Sequence, residues 1–233
     1  MKLQILFFII FFYNIAYATS QELFLRAADA YKKGNFSQAL TIFTSIENKG
    51  AAVWYNIGNT YYQMNEYVAA LIAWKRALKC NGAYLSAGIN ANSKQVYEKL
   101  NLMESDNYWH WAINNINKFS LYFWQIIFIC SLYGLLLLLY MVTKKKWWMI
   151  GLCLLITNGA GVGLLLCWYT MNVQTGTVIK ETFLVAGNDE QFSKIGTLKP
   201  GQEVSIKGEN ESWCKVTVDN QIGWVLKNNI EFI

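Results

Sequence analysis

The chain has 233 residues, of which 54% are hydrophobic and only 15% are charged, whereas soluble domains average about 25% charged residues. This composition argues against an ordinary soluble enzyme, a disordered chain and a disulfide-dense secreted module. The net charge of +5 is concentrated in three adjacent lysines, Lys144, Lys145 and Lys146, so no basic stripe predicts nucleic-acid binding. The expectation is a membrane protein with folded parts outside the bilayer.

The first 18 residues have the pattern of a secretory signal peptide. Lys2 precedes an uncharged apolar run over residues 5–12, and Ala16 and Ala18 form a small-x-small cleavage site. These are the three features of a secretory signal, and the apolar run is shorter than the ~20 residues that span a bilayer. The sequence therefore predicts a cleaved signal over residues 1–18. A buried N-terminal helix or a first membrane anchor is the alternative.

Residues 51–84 carry the pattern of a helix pair. Trp54, Ile57, Gly58 and Tyr61 follow the i, i+3, i+4, i+7 spacing of one helix face. The inner face of a second helix is formed by Ala70, Leu71, Trp74, Ala77 and Leu78. The 34-residue stretch resembles a tetratricopeptide repeat, in which Gly58 lets the neighbouring helix approach closely.

A weaker copy of this pattern lies 31 residues upstream. Its members are Ala27, Tyr31, Gly34, Phe36, Ala39, Leu40, Phe43 and Ile46. Residues 84–100 predict one more helix, which is either the first helix of a third repeat or a capping helix. The sequence thus predicts an all-α tetratricopeptide-repeat domain over residues 19–101. This number of repeats is near the minimum for a stable array, because such repeats bury their apolar faces only against stacked neighbours.

The resemblance also implies a binding surface, because the first helices of such repeats line a concave face. The residues at these positions are Tyr55, Asn56, Asn59, Tyr62 and Gln63, joined by Asn90, which lies 34 residues after Asn56. Amide and phenol groups suit a peptide backbone or a terminal carboxylate, so a protein partner is expected. The alternative is that Tyr55 and Tyr62 only pack the helix pair.

Two long apolar segments follow the repeats. Residues 119–143 and 147–170 contain no charged residue, and each is longer than the ~20 residues that a membrane helix needs. The Lys-rich loop 144–146 joins them, and short basic loops stay in the cytoplasm. Lys144, Lys145 and Lys146 are therefore the predicted topology determinants. They predict a multi-pass protein of the cytoplasmic (inner) membrane, with both soluble domains extracytoplasmic or periplasmic.

The second apolar segment contains three closely spaced glycines, at positions 159, 161 and 163. Small residues allow close approach of membrane helices. They are expected to pack the two spans against each other, and an oligomer contact or a pore is the alternative. The spans contain no ionisable residue that would indicate an ion path.

After the second span the pattern changes to alternation, which indicates strands. Residues 174–233 predict five short strands of a small all-β barrel. Leu198-Lys199-Pro200-Gly201, Trp213 and Gly223-Trp224-Val225 resemble a bacterial Src-homology-3 (SH3b) domain. In this assignment Trp213 and Trp224 are mostly core residues, and the domain offers a possible peptidoglycan-binding module.

The chain shows no catalytic constellation. His110 is its only histidine, so a metal site or a His-based triad lacks partners. None of the five cysteines forms a CxxC motif, and Cys80 and Cys214 are more readily free, buried thiols than a disulfide. The sequence predicts no enzyme activity, no metal and no cofactor.

The order of signal peptide, repeats, two spans and SH3-like end resembles the BatE-type family, the tetratricopeptide-repeat/SH3 membrane proteins of the Bacteroides aerotolerance operon. The resemblance implies partner proteins of the von Willebrand A type in the same operon and a role in aerotolerance or envelope stress. It supplies no active site. The function expected is a membrane-anchored scaffold, and the alternative is an envelope anchor or sensor that binds cell-wall peptide through the SH3-like domain.

Overall fold

A computed structural model describes residues 20–80, 82–102, 116, 119, 121–141, 147–189, 191–219 and 221–233. The predicted signal peptide and Lys144, Lys145 and Lys146 lie outside the described residues. The chain divides into two compact units. One unit joins the repeat segment, described up to Leu102, with residues Thr175–Ile233. The other contains the apolar helices.

The described residues of the repeat segment form five α-helices. Helix α1 covers residues 20–32, and the others are α2 (Phe36–Ser45), α3 (Ala51–Gln63), α4 (Tyr67–Lys79) and α5 (Ser86–Lys99), with a 3-10 turn at Gly82–Leu85 before α5. The turns within the pairs α1–α2 and α3–α4 contain Gly34 and Asn65, whose φ angles of 79° and 62° are left-handed. These two residues lie 31 positions apart, so the predicted pitch between the first two repeats is present in the backbone.

Two apolar clusters hold the helices together. The first is built from α1, α2 and α3 around the fully buried Phe43 and Ile57. The second is built from α3, α4 and α5 around Trp74, Ile89 and Val96. Because α5 contributes to the second cluster, it provides the stacking partner that the last complete helix pair requires.

Helices α3 and α4 are in direct contact at Gly58. A Cβ atom built on Gly58 would lie 2.9 Å from Cγ of Trp74 and closer still to two other ring atoms. Trp74 is buried in the core, with 1% of its surface exposed. The glycine predicted to admit the neighbouring helix therefore does so by accommodating this indole.

The second unit contains helices α6 (Leu121–Met141) and α7 (Trp147–Asn172). Gly163 faces Trp124, and Gly161 faces Phe128, with hypothetical Cβ contacts of 2.6 and 3.4 Å. The helices therefore run antiparallel, and these two glycines lie in their contact. Gly159 differs, since a Cβ there would meet no atom within 4 Å. Among the described residues, one helix is long and apolar enough to cross a membrane, Met149–Thr170, and Leu121–Leu137 forms a shorter apolar stretch.

The C-terminal segment, termed the β-module (residues 175–233), is an antiparallel sheet. Its strands are β1 (Thr175–Val178), β2 (Thr182–Val185), β3 (Lys194–Leu198), β4 (Glu203–Glu209), β5 (Trp213–Val218), β6 (Gln221–Leu226) and β7 (Ile230–Phe232). The described residues form seven strands in the order β3-β2-β6-β5-β4-β1-β7, two more than predicted. Its buried core includes Val178, Leu184, Val216 and Val225.

Candidate functional site

The surface where α3 meets α5 contains two of the six predicted binding residues, Asn59 and Tyr62. Tyr62 donates a hydrogen bond from its hydroxyl to Oε1 of Gln95 at 3.0 Å, and Asn92 donates from Nδ2 to Oδ1 of Asn59 at 3.3 Å. Both pairs are 33 residues apart, so α5 runs parallel to α3, as the first helix of a third repeat does. This surface, the α3–α5 groove, is defined here by Asn59, Tyr62, Asn92, Gln95 and Lys99.

Asn59 also supports the core. Its Oδ1 accepts a second hydrogen bond, from Nε1 of Trp74 at 3.1 Å. The indole N–H is buried with its ring, and a buried donor without a partner costs about 1–3 kcal/mol. Asn59 therefore fixes the groove to the helix pair beneath it, and its loss would damage the fold as well as the surface.

An aromatic and cationic cluster lies at one end of the groove. The Lys99 ammonium lies 4.8 Å from the ring centre of Tyr62 and 4.5 Å from that of Tyr67, and it donates to the Tyr67 hydroxyl at 2.9 Å. The hydrogen bond to Tyr67, followed by that to Tyr62, raises the pKa of Lys99 above its ordinary value. Lys99 is therefore a solvent-exposed cation at neutral pH with both rings beside it.

The remaining predicted residues are placed differently. Asn56 donates from Nδ2 to the Ala52 carbonyl oxygen at 2.8 Å, within its own helix. Gln63 and Asn90 are exposed. The 33-residue spacing places Asn90 opposite Ile57, so the 34-residue spacing that paired it with Asn56 is off by one residue.

Tyr55 packs against the start of α5, where a Cβ on Gly88 would lie 3.1 Å from the Tyr55 hydroxyl. Sequence reasoning missed Asn92, Gln95 and Lys99. The signal that could have found them is the same 33-residue offset, which matches Asn92 to Asn59.

The β-module presents an apolar surface of its own. Its exposed large side chains are Phe183, Phe192, Ile195 and Ile222. The Lys194 ammonium lies 3.5 Å from the ring centre of Phe183. Trp213 and Trp224, which were expected in the core, are half-buried. They alternate with the core residues Cys214 and Val225 along their strands, which turns their rings to the other face of the sheet.

Among the described residues, no three or more His, Cys, Asp or Glu side chains are grouped so that they could hold a metal ion. Cys80 is a free and exposed thiol, whereas the expectation was a buried one. Cys214 is free and buried in the sheet, and its burial raises the pKa of the thiol.

Two parts of the chain match known protein families. Residues 51–84 match the tetratricopeptide repeat, and residues 183–231 match the bacterial SH3 domain. No curated protein and no solved structure matches the chain. The chain therefore combines a helical tetratricopeptide-like segment with an SH3b-like antiparallel sheet, in the order predicted.

Proposed function

We propose that this chain is a non-enzymatic, membrane-anchored scaffold whose repeats bind a partner protein outside the cytoplasm. The observation that carries the proposal is the α3–α5 groove, a row of side-chain amides that ends at an exposed lysine. The match of residues 51–84 to a tetratricopeptide repeat supports it, since repeat arrays of this kind create extended binding surfaces.

The chemistry of the groove favours an extended peptide with a carboxylate. Asn92 and Gln95 carry amide donors and acceptors that match a peptide backbone. The Lys99 ammonium offers a charge-assisted hydrogen bond to a terminal or side-chain carboxylate, which is stronger than a neutral one. A bound peptide would thus place its acidic group beside Tyr62 and Tyr67.

The substitution Lys99→Ala tests this directly. We expect co-purification of a membrane partner to weaken severalfold, because the charge-assisted hydrogen bond to the carboxylate of the partner is lost. The measurement is quantitative mass spectrometry of proteins recovered with the detergent-solubilised chain. Lys94→Ala is the matched control, since Lys94 is also exposed on α5 but is not part of the groove. Equal recovery with both variants would contradict the groove as the binding site.

For the membrane part, we propose that α6 and α7 form a hairpin whose Lys144-Lys145-Lys146 loop is cytoplasmic. The apolar character of both helices and the positive-inside rule support this topology. We expect reporters fused after Asn101 and after Ile233 to be located outside the cytoplasm. A reporter fused after Lys146 should be located in the cytoplasm. A cytoplasmic signal from either soluble end would contradict the hairpin.

The resemblance to BatE-type proteins suggests the physiological setting. We propose that the partner is a von Willebrand A-type membrane protein of the same operon and that the complex acts in aerotolerance or envelope stress. Deletion of the gene is then expected to reduce survival under oxygen, and a chain carrying Lys99→Ala is expected not to restore it.

A second function is favoured by the bacterial SH3 match over residues 183–231. In it, the β-module binds cell-wall peptide and the chain is an envelope anchor or sensor. The exposed Phe183 and Phe192 rings supply apolar contact area for such a ligand. Co-sedimentation of the full chain with purified peptidoglycan distinguishes the two functions, because Phe183→Ala would reduce it while Lys99→Ala would not.

A further inference from the structure

One turn of α4 carries three basic residues that all contact the β-module, within the same compact unit. Lys75 lies 2.9 Å from Glu203, measured from Nζ to Oε2, and Arg76 forms an ion pair with Glu231. Lys79 donates from Nζ to the carbonyl oxygen of Ile233 at 2.6 Å. The helical surface and the sheet are thus complementary in charge over one helical turn.

Lys75 is the most enclosed member of this set. Its side chain is 15% exposed, against 42% for Glu203, and it also donates at 3.3 Å to Oγ1 of the fully buried Thr177. The low exposure of Lys75 reduces the screening of this pair by salt. Burial also lowers the pKa of the neighbouring Lys79, an effect that Glu203 partly offsets.

Arg76 connects the contact to the core of the repeats. Its guanidinium lies 5.0 Å from the ring centre of Trp54, within cation–π range. A cavity of about 660 Å³ lies beside it and is lined by Trp54 and Tyr61 of α3 together with Ile179 and Glu231 of the β-module. The repeats contribute most of its walls, and the β-module reaches it through Ile179 and Glu231.

The contact has an apolar half as well. Gly201 lies in the turn before β4 and has a left-handed φ of 88°. A Cβ atom on Gly201 would lie 2.8 Å from Leu100 and 3.3 Å from Leu71. Next to it, Lys199 donates from Nζ to the Asn101 carbonyl oxygen at 3.2 Å. The turn between β3 and β4 thus lies directly against the repeats.

We propose that the outer face of α4 is an intramolecular docking surface for the β-module, held by the Lys75–Glu203 and Arg76–Glu231 pairs, here named the α4 clasp. The clasp uses residues other than those of the α3–α5 groove. This consequence rests on the proposed function: the clasp holds a partner in the groove and a ligand on the β-module at a fixed separation. The α4 face is then closed to external partners.

Zero-length carbodiimide cross-linking of the full chain in detergent tests the clasp, because this reagent joins a lysine to a carboxylate only when the two are in contact. We expect a Lys75–Glu203 cross-link, identified by mass spectrometry, with a yield similar to that of the Lys227–Glu209 pair within the β-module, where Nζ and Oε2 are 2.7 Å apart. Glu203→Gln should remove the first cross-link and keep the second.

The proposal is overturned if the Lys227–Glu209 cross-link forms and the Lys75–Glu203 cross-link does not. It is also overturned if mixed isotope-labelled chains show that Lys75 and Glu203 join only between copies. Neither readout depends on a partner protein, so failure of the clasp is distinguishable from failure of the scaffold function.

Charge reversal provides a second test. Arg76→Glu and Glu231→Arg should each loosen the contact between the repeats and the β-module. Each variant should therefore increase the rate at which added protease cleaves the full chain. The double variant, which restores opposite charges, should return cleavage towards the wild-type rate. Cleavage that is unchanged in both single variants, or additive in the double variant, would overturn the clasp.

Discussion

The substitution Gly58→Leu is expected to unfold the repeat segment. A side chain at this position enters the space of the buried Trp74 ring, so the ring or the helix would have to shift. Overpacking of a core costs about 1–3 kcal/mol and occasionally more. We expect the upper end, about 3 kcal/mol, because displacing the indole also breaks its hydrogen bond to Asn59. The measurement is thermal unfolding of the full chain followed by far-UV circular dichroism.

Gly50→Leu is the matched control for this experiment. Gly50 precedes α3 in an extended conformation, and a Cβ there meets no atom within 4 Å. The same substitution eight residues upstream should therefore change the midpoint only slightly. Equal effects of the two substitutions would show that the loss of glycine, and not the contact with Trp74, is responsible.

The repeat helices could be predicted because their signals are local. The spacing of Trp54, Ile57, Gly58 and Tyr61 falls within one helix, and the interruption at Asn65 is a true left-handed turn with φ 62°. Whether the last helix was a cap or part of a repeat stayed open in the sequence. The structure answers this through side-chain pairs that join α5 to α3.

The residues of the α3–α5 groove were predicted in part. Tyr62 and Asn59 lie on it, but their hydrogen-bond partners Gln95 and Asn92 depend on the exact offset between two helices. That offset is set by the length of the connection, and an error of one residue rotates a helix by about 100°. Asn90 was chosen at an offset of 34 from Asn56, and it lies on α5 outside the residues that define the groove.

Two strands of the β-module, β2 and β7, gave little sequence signal. Strand β2 has four residues and β7 has three, which is too short for a clear alternation. Strand β2 is joined to its neighbour β6 through a single residue pair, Val185 and Trp224. The α4 clasp gave no signal at all, because Arg76 and Glu231 are 155 positions apart and only the folded chain brings them together.

Gly223→Val is expected to destabilise the β-module strongly, because a Cβ at this position would lie 2.6 Å from the buried Leu184 and 2.9 Å from the Val185 carbonyl oxygen. Leu184 could shift only by opening the core, and the carbonyl belongs to the strand that pairs with β6. We expect a loss of about 3 kcal/mol or more and a lower thermal midpoint.

Gly208→Val is the matched control for Gly223→Val. Gly208 lies in strand β4, which β5 separates from β6 in the sheet, is exposed, and has no atom within 4 Å of a hypothetical Cβ. A β-branched residue suits an exposed strand position, so this variant should keep the wild-type midpoint. A Gly223→Val chain as stable as the Gly208→Val chain would mean that β2 does not pack against β6 as described. The exposed Phe183 surface, which β2 carries, would then lose its structural basis as a ligand site.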